Sequence, residues 1–284
     1  MNDTTPNSQP SEPDFLIILR KTWRIYLADG FLLFIQLVIF FLLLTFLETW
    51  KHPLISDLPG YPHRTVILGI VLWITLNLLI YSPLGAFSGA QMNPAITIAY
   101  WRIKRINTIN TIGYITSQFI FGTLALLFSV FVLGKNFTEN PIHYAPVRPG
   151  ILGVWSTGFL HLIISFFLMI LVLKFSNTPK LKKWTGFAAA TFSTFSLLLV
   201  TPLTTLALNP VRSIISAIPA GEWKPLTAYL VFPVLGMLIA VEIYRQLTTK
   251  NPRTFPAVAC CKLNHQHTYT CPHCQPEEFY GKNN

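Results

Sequence analysis

The sequence predicts an all-α integral membrane protein: six membrane-crossing helices and two re-entrant half-helices, arranged as an inverted repeat. Three observations predict it. Of 284 residues, 52% are hydrophobic and only 11% charged, against about 25% charged in a soluble domain. A globule of this size cannot be covered with so little charge, which excludes a soluble enzyme, a disordered chain and a collagen-like one. Six continuous apolar stretches, 25–47, 66–85, 109–134, 152–175, 184–206 and 226–247, each reach the roughly 20 residues that cross a hydrocarbon core. None alternates with period two, so a β-barrel does not fit. Finally, two shorter segments, 94–101 and 210–218, follow the second and fifth stretches, and each opens on Asn-Pro.

The elements follow in order. Residues 1–24 form a tail, and its first 14 residues are polar with Pro6, Pro10 and Pro13, a composition that does not pack. The first span carries Asp29. The body, 25–248, divides into halves of about 25–134 and 152–247. A polar tail, 249–284, holds all four cysteines. The net charge is +10. With the N-terminus placed in the cytoplasm, 15 of the 21 Lys and Arg fall inside. They cluster at Arg20–Lys21–Arg24, Arg102–Lys104–Arg105, Lys174–Lys183 and Arg245 onward. Lys51, Arg64, Lys135, Arg148, Arg212 and Lys224 fall outside. The positive-inside bias therefore predicts both termini in the cytoplasm of a cell or inner membrane, and no nucleic-acid partner.

Asn is a good helix N-cap and Pro is favoured at the first helical position. Asn93-Pro94 and Asn209-Pro210 therefore each read as the start of a short helix. In a chain of six spans, one enters from each face of the bilayer. Two such helices can meet tip to tip at the midplane, as in an inverted repeat of three spans plus a half-helix. Irregular backbone at that depth is tolerated only when buried or lining a cavity, so a pore is expected. The helix N-termini present positive dipole ends there, and the amides of Asn93 and Asn209 are placed to donate to a passing neutral molecule.

These residues carry a resemblance to the aquaporin, or major intrinsic protein, family. It rests on Ser88-Gly89-Ala90-Gln91-Met92-Asn93-Pro94-Ala95 and Asn209-Pro210-Val211-Arg212-Ser213. Tyr114, Gln118, Pro202 and the 232–236 segment Phe-Pro-Val-Leu-Gly support it, and it covers roughly 25–245. The resemblance implies a passive channel for water, glycerol, urea or metalloid acids that excludes ions and protons. It also implies a homotetramer with one pore per subunit.

By the same resemblance Arg212 belongs to an outer constriction, and register from the motifs places Trp73, Leu197 and Leu206 beside it. The pattern is mixed. Water-selective members carry a His and a small residue where Leu197 and Leu206 stand. Trp73 matches the glycerol facilitators, yet the Asp those carry after the second motif is missing. Apolar walls facing an Arg suit an amphipathic neutral solute. Val211 replaces the family's usual Ala, a change expected to tune the pore. Asp29 and His161 stand where the family carries a Glu that supports the half-helix loops. His161 can donate and accept in its neutral form.

The tail offers Cys260, Cys261, His265, His267, Cys271, His273 and Cys274. Cys271 and Cys274 have the spacing that grips one tetrahedral ion, and cytosolic thiols are normally reduced, so a bound Zn²⁺ is an expectation beside that of an unstructured tail. Transport itself needs no cofactor. No phosphate loop, nucleophile elbow or pair of intramembrane carboxylates is present to suggest an enzyme. The alternative function is a non-conducting, metal-responsive membrane scaffold of the same fold. A coupled transporter is disfavoured by the near absence of charge in the spans.

Overall fold

The computed structural model describes residues 15–49 and 63–248. The described residues are all-helical. α1 spans Phe15–Thr49, α2 His63–Tyr81, α3 Pro83–Ser88, α4 Pro94–Arg102, α5 Thr108–Leu133 and α6 Lys135–Thr138. α7 spans Gly153–Asn177, α8 Thr185–Val200, α9 Pro210–Ala220 and α10 Leu226–Thr248. The half-helices are α4 and α9. Among the described residues five helices, α1, α2, α5, α7 and α10, are long and apolar enough to cross a membrane. Their outward faces carry large apolar side chains, Phe131 at 86% exposure among them, with Trp155 and Phe159, the surface that contact with lipid requires.

Three boundaries differ from expectation. α1 begins at Phe15, so the 15–24 part of the expected tail is helical. α2 stops at Tyr81, and the 82–88 stretch is a separate short helix. Its break is built by Ser82, whose hydroxyl accepts from the Gly85 amide, and by Pro83 in the first turn. α8 is 16 residues long and ends at Val200, six residues before the expected end. Pro202 explains this: Thr201 still has helical dihedrals, but a proline has no N–H to continue the ladder to the Leu198 carbonyl. The chain beyond is tied instead to the 148–151 segment: the Ile151 amide donates to the Leu203 carbonyl at 3.1 Å and the Thr205 amide to the Arg148 carbonyl at 3.0 Å.

The halves repeat the same packing. α1 lies along α5, and α7 lies along α10. α2 packs on α8 across the halves. Glycines permit the closest crossing: a Cβ at Gly236 of α10 would collide with the Leu162 carbonyl of α7. The half-helices α4 and α9 both touch α5 and α10 and meet each other.

Candidate pore and its constriction

Asn93 is the N-cap of α4, its Oδ1 accepting the Ala95 amide at 2.9 Å. Asn209 caps α9 in the same way, accepting the Val211 amide at 3.0 Å. Pro94 and Pro210 occupy the first turns. The side-chain amides cross-tie the two tips. Asn93 Nδ2 donates to the Leu208 carbonyl at 3.1 Å, and Asn209 Nδ2 donates to the Met92 carbonyl at 2.8 Å. An Asn amide has two N–H groups, so each keeps one for a molecule in the cavity that both residues line.

The loop before each tip is held from behind. Ala90 and Met92 have φ of 49° and 47°, left-handed values that cost a non-glycine residue about 1–3 kcal/mol each. Asp29, fully buried on α1, over-determines this loop. One carboxylate oxygen accepts from the Gln91 amide at 2.7 Å, and the other accepts from the Met92 amide at 3.0 Å and from Gln118 Nε2 at 2.8 Å. Gln118 also reaches Thr97 Oγ1 of α4 at 3.2 Å. Tyr114 donates to the Ser88 carbonyl at 2.6 Å.

The second half answers with different chemistry at the same register. Ala207, two residues before Asn209 as Gln91 is before Asn93, donates its amide to His161 Nε2 at 3.2 Å. His161 Nδ1 lies 2.7 Å from the Thr157 carbonyl. A carbonyl only accepts and an amide N–H only donates, so this ring is the neutral tautomer protonated at Nδ1. Tyr229 packs on the imidazole with centroids 4.8 Å apart, donates to the Arg148 carbonyl at 2.7 Å and lies 2.8 Å from Thr204 Oγ1. Thr204 and Ser88 each stand five residues before their Asn.

A cavity of about 1020 Å³ passes both caps. At one end its wall includes Lys180, Lys182 and Lys183; past the caps it includes Leu197, Leu206 and Arg212. Arg212 is only 9% exposed, and its Nη1 has no hydrogen-bond partner among the described residues. Its guanidinium lies over the Phe40 ring, 4.7 Å from the centroid, a contact worth up to about 2 kcal/mol when desolvated.

Trp73 departs from its expected place. It does not line this cavity. Its indole donates to Thr191 Oγ1 at 3.0 Å, its ring meets Phe187, and with Asn77 and Leu78 it walls a second groove. Leu72, Leu76 and Ile80 form the cavity stripe of α2. The reason is helical phase. Register counted back from Asn93 crosses the break at Ser82-Pro83, and one residue of slip turns a helix by about 100°.

Val211 is fully buried against Gly122 of α5, where a Cβ would overlap its γ-methyl. The larger side chain is thus accommodated by a missing one. Gly122→Ala is expected to destabilise the fold by about 1–3 kcal/mol, as overpacking does. Val211→Ala in the same chain should restore most of it, a coupling read from unfolding midpoints of the two single variants and the double.

The Cys/His set Cys260, Cys261, His265, His267, Cys271 and Cys274 lies outside the described residues. Among the described residues no cluster of three or more His, Cys, Asp or Glu could hold a metal.

An inverted repeat closed round a cavity, with half-helix tips cross-tied between its halves, is the architecture of a membrane-channel fold. The comparisons agree. The family model described as Major intrinsic protein matches residues 20–244, and the chain belongs to that family. It is 30% identical over 179 residues to "Probable aquaporin NIP7-1" of Arabidopsis thaliana, covering 62% of each chain. It is 27% identical over 190 residues to "Nodulin-26" of Glycine max, covering 65% of each. These matches span less than two thirds of those relatives' length. Among solved structures, the aquaglyceroporin from Plasmodium falciparum superposes with a TM-score of 0.60 at 16% identity, over 84% of this chain and 98% of that one; this likeness shows the fold.

Proposed function

We propose that the protein is a passive, uncoupled channel for water and small neutral solutes, excluding ions and protons. Membership of the major intrinsic protein family supports this. The observation that carries the reading is that Leu197, Leu206 and the α2 leucines line one cavity together with a buried Arg212. Carbon backbones pass along the leucines while hydroxyls meet Arg212 and the two Asn amides, a division suited to glycerol, urea or a neutral metalloid acid. Among the described residues no carboxylate lines the cavity, and the helix N-termini and Arg212 oppose a cation. The reading assigns no chemical reaction.

The test is stopped-flow light scattering of proteoliposomes under water and glycerol gradients. Rapid volume change above that of empty liposomes supports the channel. No excess flux at confirmed incorporation overturns it and leaves the scaffold.

The further features of this reading are a homotetramer and cytoplasmic termini in a cell or inner membrane, on the 15 to 6 bias of Lys and Arg. For the tail we infer a Zn²⁺ site on Cys271 and Cys274 with partners from Cys260, Cys261, His265 and His267. Purified protein is expected to carry stoichiometric zinc that the Cys271→Ser, Cys274→Ser variant loses. Equal metal content in both would overturn it.

A further inference from the structure

We propose that Phe40 of α1 is a selectivity residue of the pore, its ring backing the Arg212 guanidinium and setting the width left to a solute. This rests on the channel reading above. Phe40 lines the same cavity as Leu197, Leu206 and Arg212, and Arg212 lies over its ring at 4.7 Å. The ring holds the guanidinium while Nη1 has no hydrogen-bond partner among the described residues. A cation held over an aromatic face cannot swing away without losing that contact.

The placement of Trp73 strengthens the case. Register assigns the aromatic wall to Trp73, but that side chain is committed to Thr191 and Phe187 of α8, and Trp73 is not among the residues that line the cavity. The aliphatic stripe of α2 faces the cavity instead, so the aromatic surface against Arg212 comes from α1. Gln36 and Leu37, one turn before Phe40, also line the cavity, which places Phe40 on the lumen-facing side of its helix.

The test compares wild type, Phe40→Ala, Phe40→Leu and Trp73→Ala in proteoliposomes at matched protein density. Permeability is measured to glycerol and to the four-carbon polyol erythritol. Removing the ring should raise the erythritol-to-glycerol ratio by about ten-fold in Phe40→Ala, with a smaller rise in Phe40→Leu. Trp73→Ala should leave the ratio within about two-fold of wild type. For a pore that passes only water, the glycerol-to-water ratio is read in the same way. A ratio unmoved in both Phe40 variants, or moved as far by Trp73→Ala, overturns the proposal. Phe40→Leu keeps an apolar side chain and carries the test where the Ala variant does not reconstitute. Absence of any wild-type flux overturns the channel reading and the role of Phe40 together, whereas wild-type flux with an unmoved ratio overturns the role of Phe40 alone.

Discussion

Asp29→Ala is expected to lower the unfolding midpoint in detergent sharply and to abolish selective permeation. The carboxylate serves three buried donors: the Gln91 and Met92 amides and Gln118 Nε2. Each buried donor left without a partner costs about 1–3 kcal/mol, so the loss is about 3 kcal/mol or more. The loop that loses its support is the one holding Ala90 and Met92 at positive φ, and it is free to relax out of that conformation. Met92 also supplies the carbonyl that receives Asn209, so relaxation on one side disturbs the opposite tip. Asp29→Asn separates charge from shape. Its oxygen can still serve the Gln91 amide and, at 3.2 Å, the Met92 amide, but its NH₂ would face the Gln118 donor, and an intermediate midpoint is expected. An Asp29→Ala midpoint equal to wild type would show that the loop holds itself.

Arg212→Leu is expected to keep the fold and to admit cations. The guanidinium makes no salt bridge among the described residues, so its removal strands no carboxylate. At an effective dielectric constant of about 20, a unit charge about 4 Å away opposes a passing cation by about 4 kcal/mol. Losing that opposition raises cation flux by roughly three orders of magnitude at most, with the positive ends of α4 and α9 retaining part of the barrier. The check is sodium or proton leak into dye-loaded proteoliposomes, with water flux as the control for folding. Cation leak no greater than in wild type would assign ion exclusion to the half-helix tips alone.

Much of this architecture is legible in the sequence, for identifiable reasons. Asn-Pro is a cap and a first-turn residue at once, so α4 and α9 are marked at their starting residues. Asp29 and His161 stand out because a polar group in an apolar run needs a partner. The early end of α8 is also written in the chain, in Pro202. Helical phase is not. A uniformly apolar helix such as α1 gives no contrast between its faces from Phe31 to Leu47, where Gln36 is the main polar mark. Phe40 is therefore indistinguishable from its neighbours until packing orients it. Trp73 fails for a related reason, since counting residues holds only along an unbroken helix and Ser82-Pro83 interrupts this one. The exchange of a side chain between Val211 and Gly122 joins residues far apart in the chain, and no local pattern signals it.

The reciprocal bonds from Asn93 to Leu208 and from Asn209 to Met92 have a consequence for assembly. Each half of the chain holds the acceptor that completes the other half's cap. Neither tip reaches its final form within its own half. The clasp closes only when both half-helices are in place, so the meeting of the two tips depends on both halves being present.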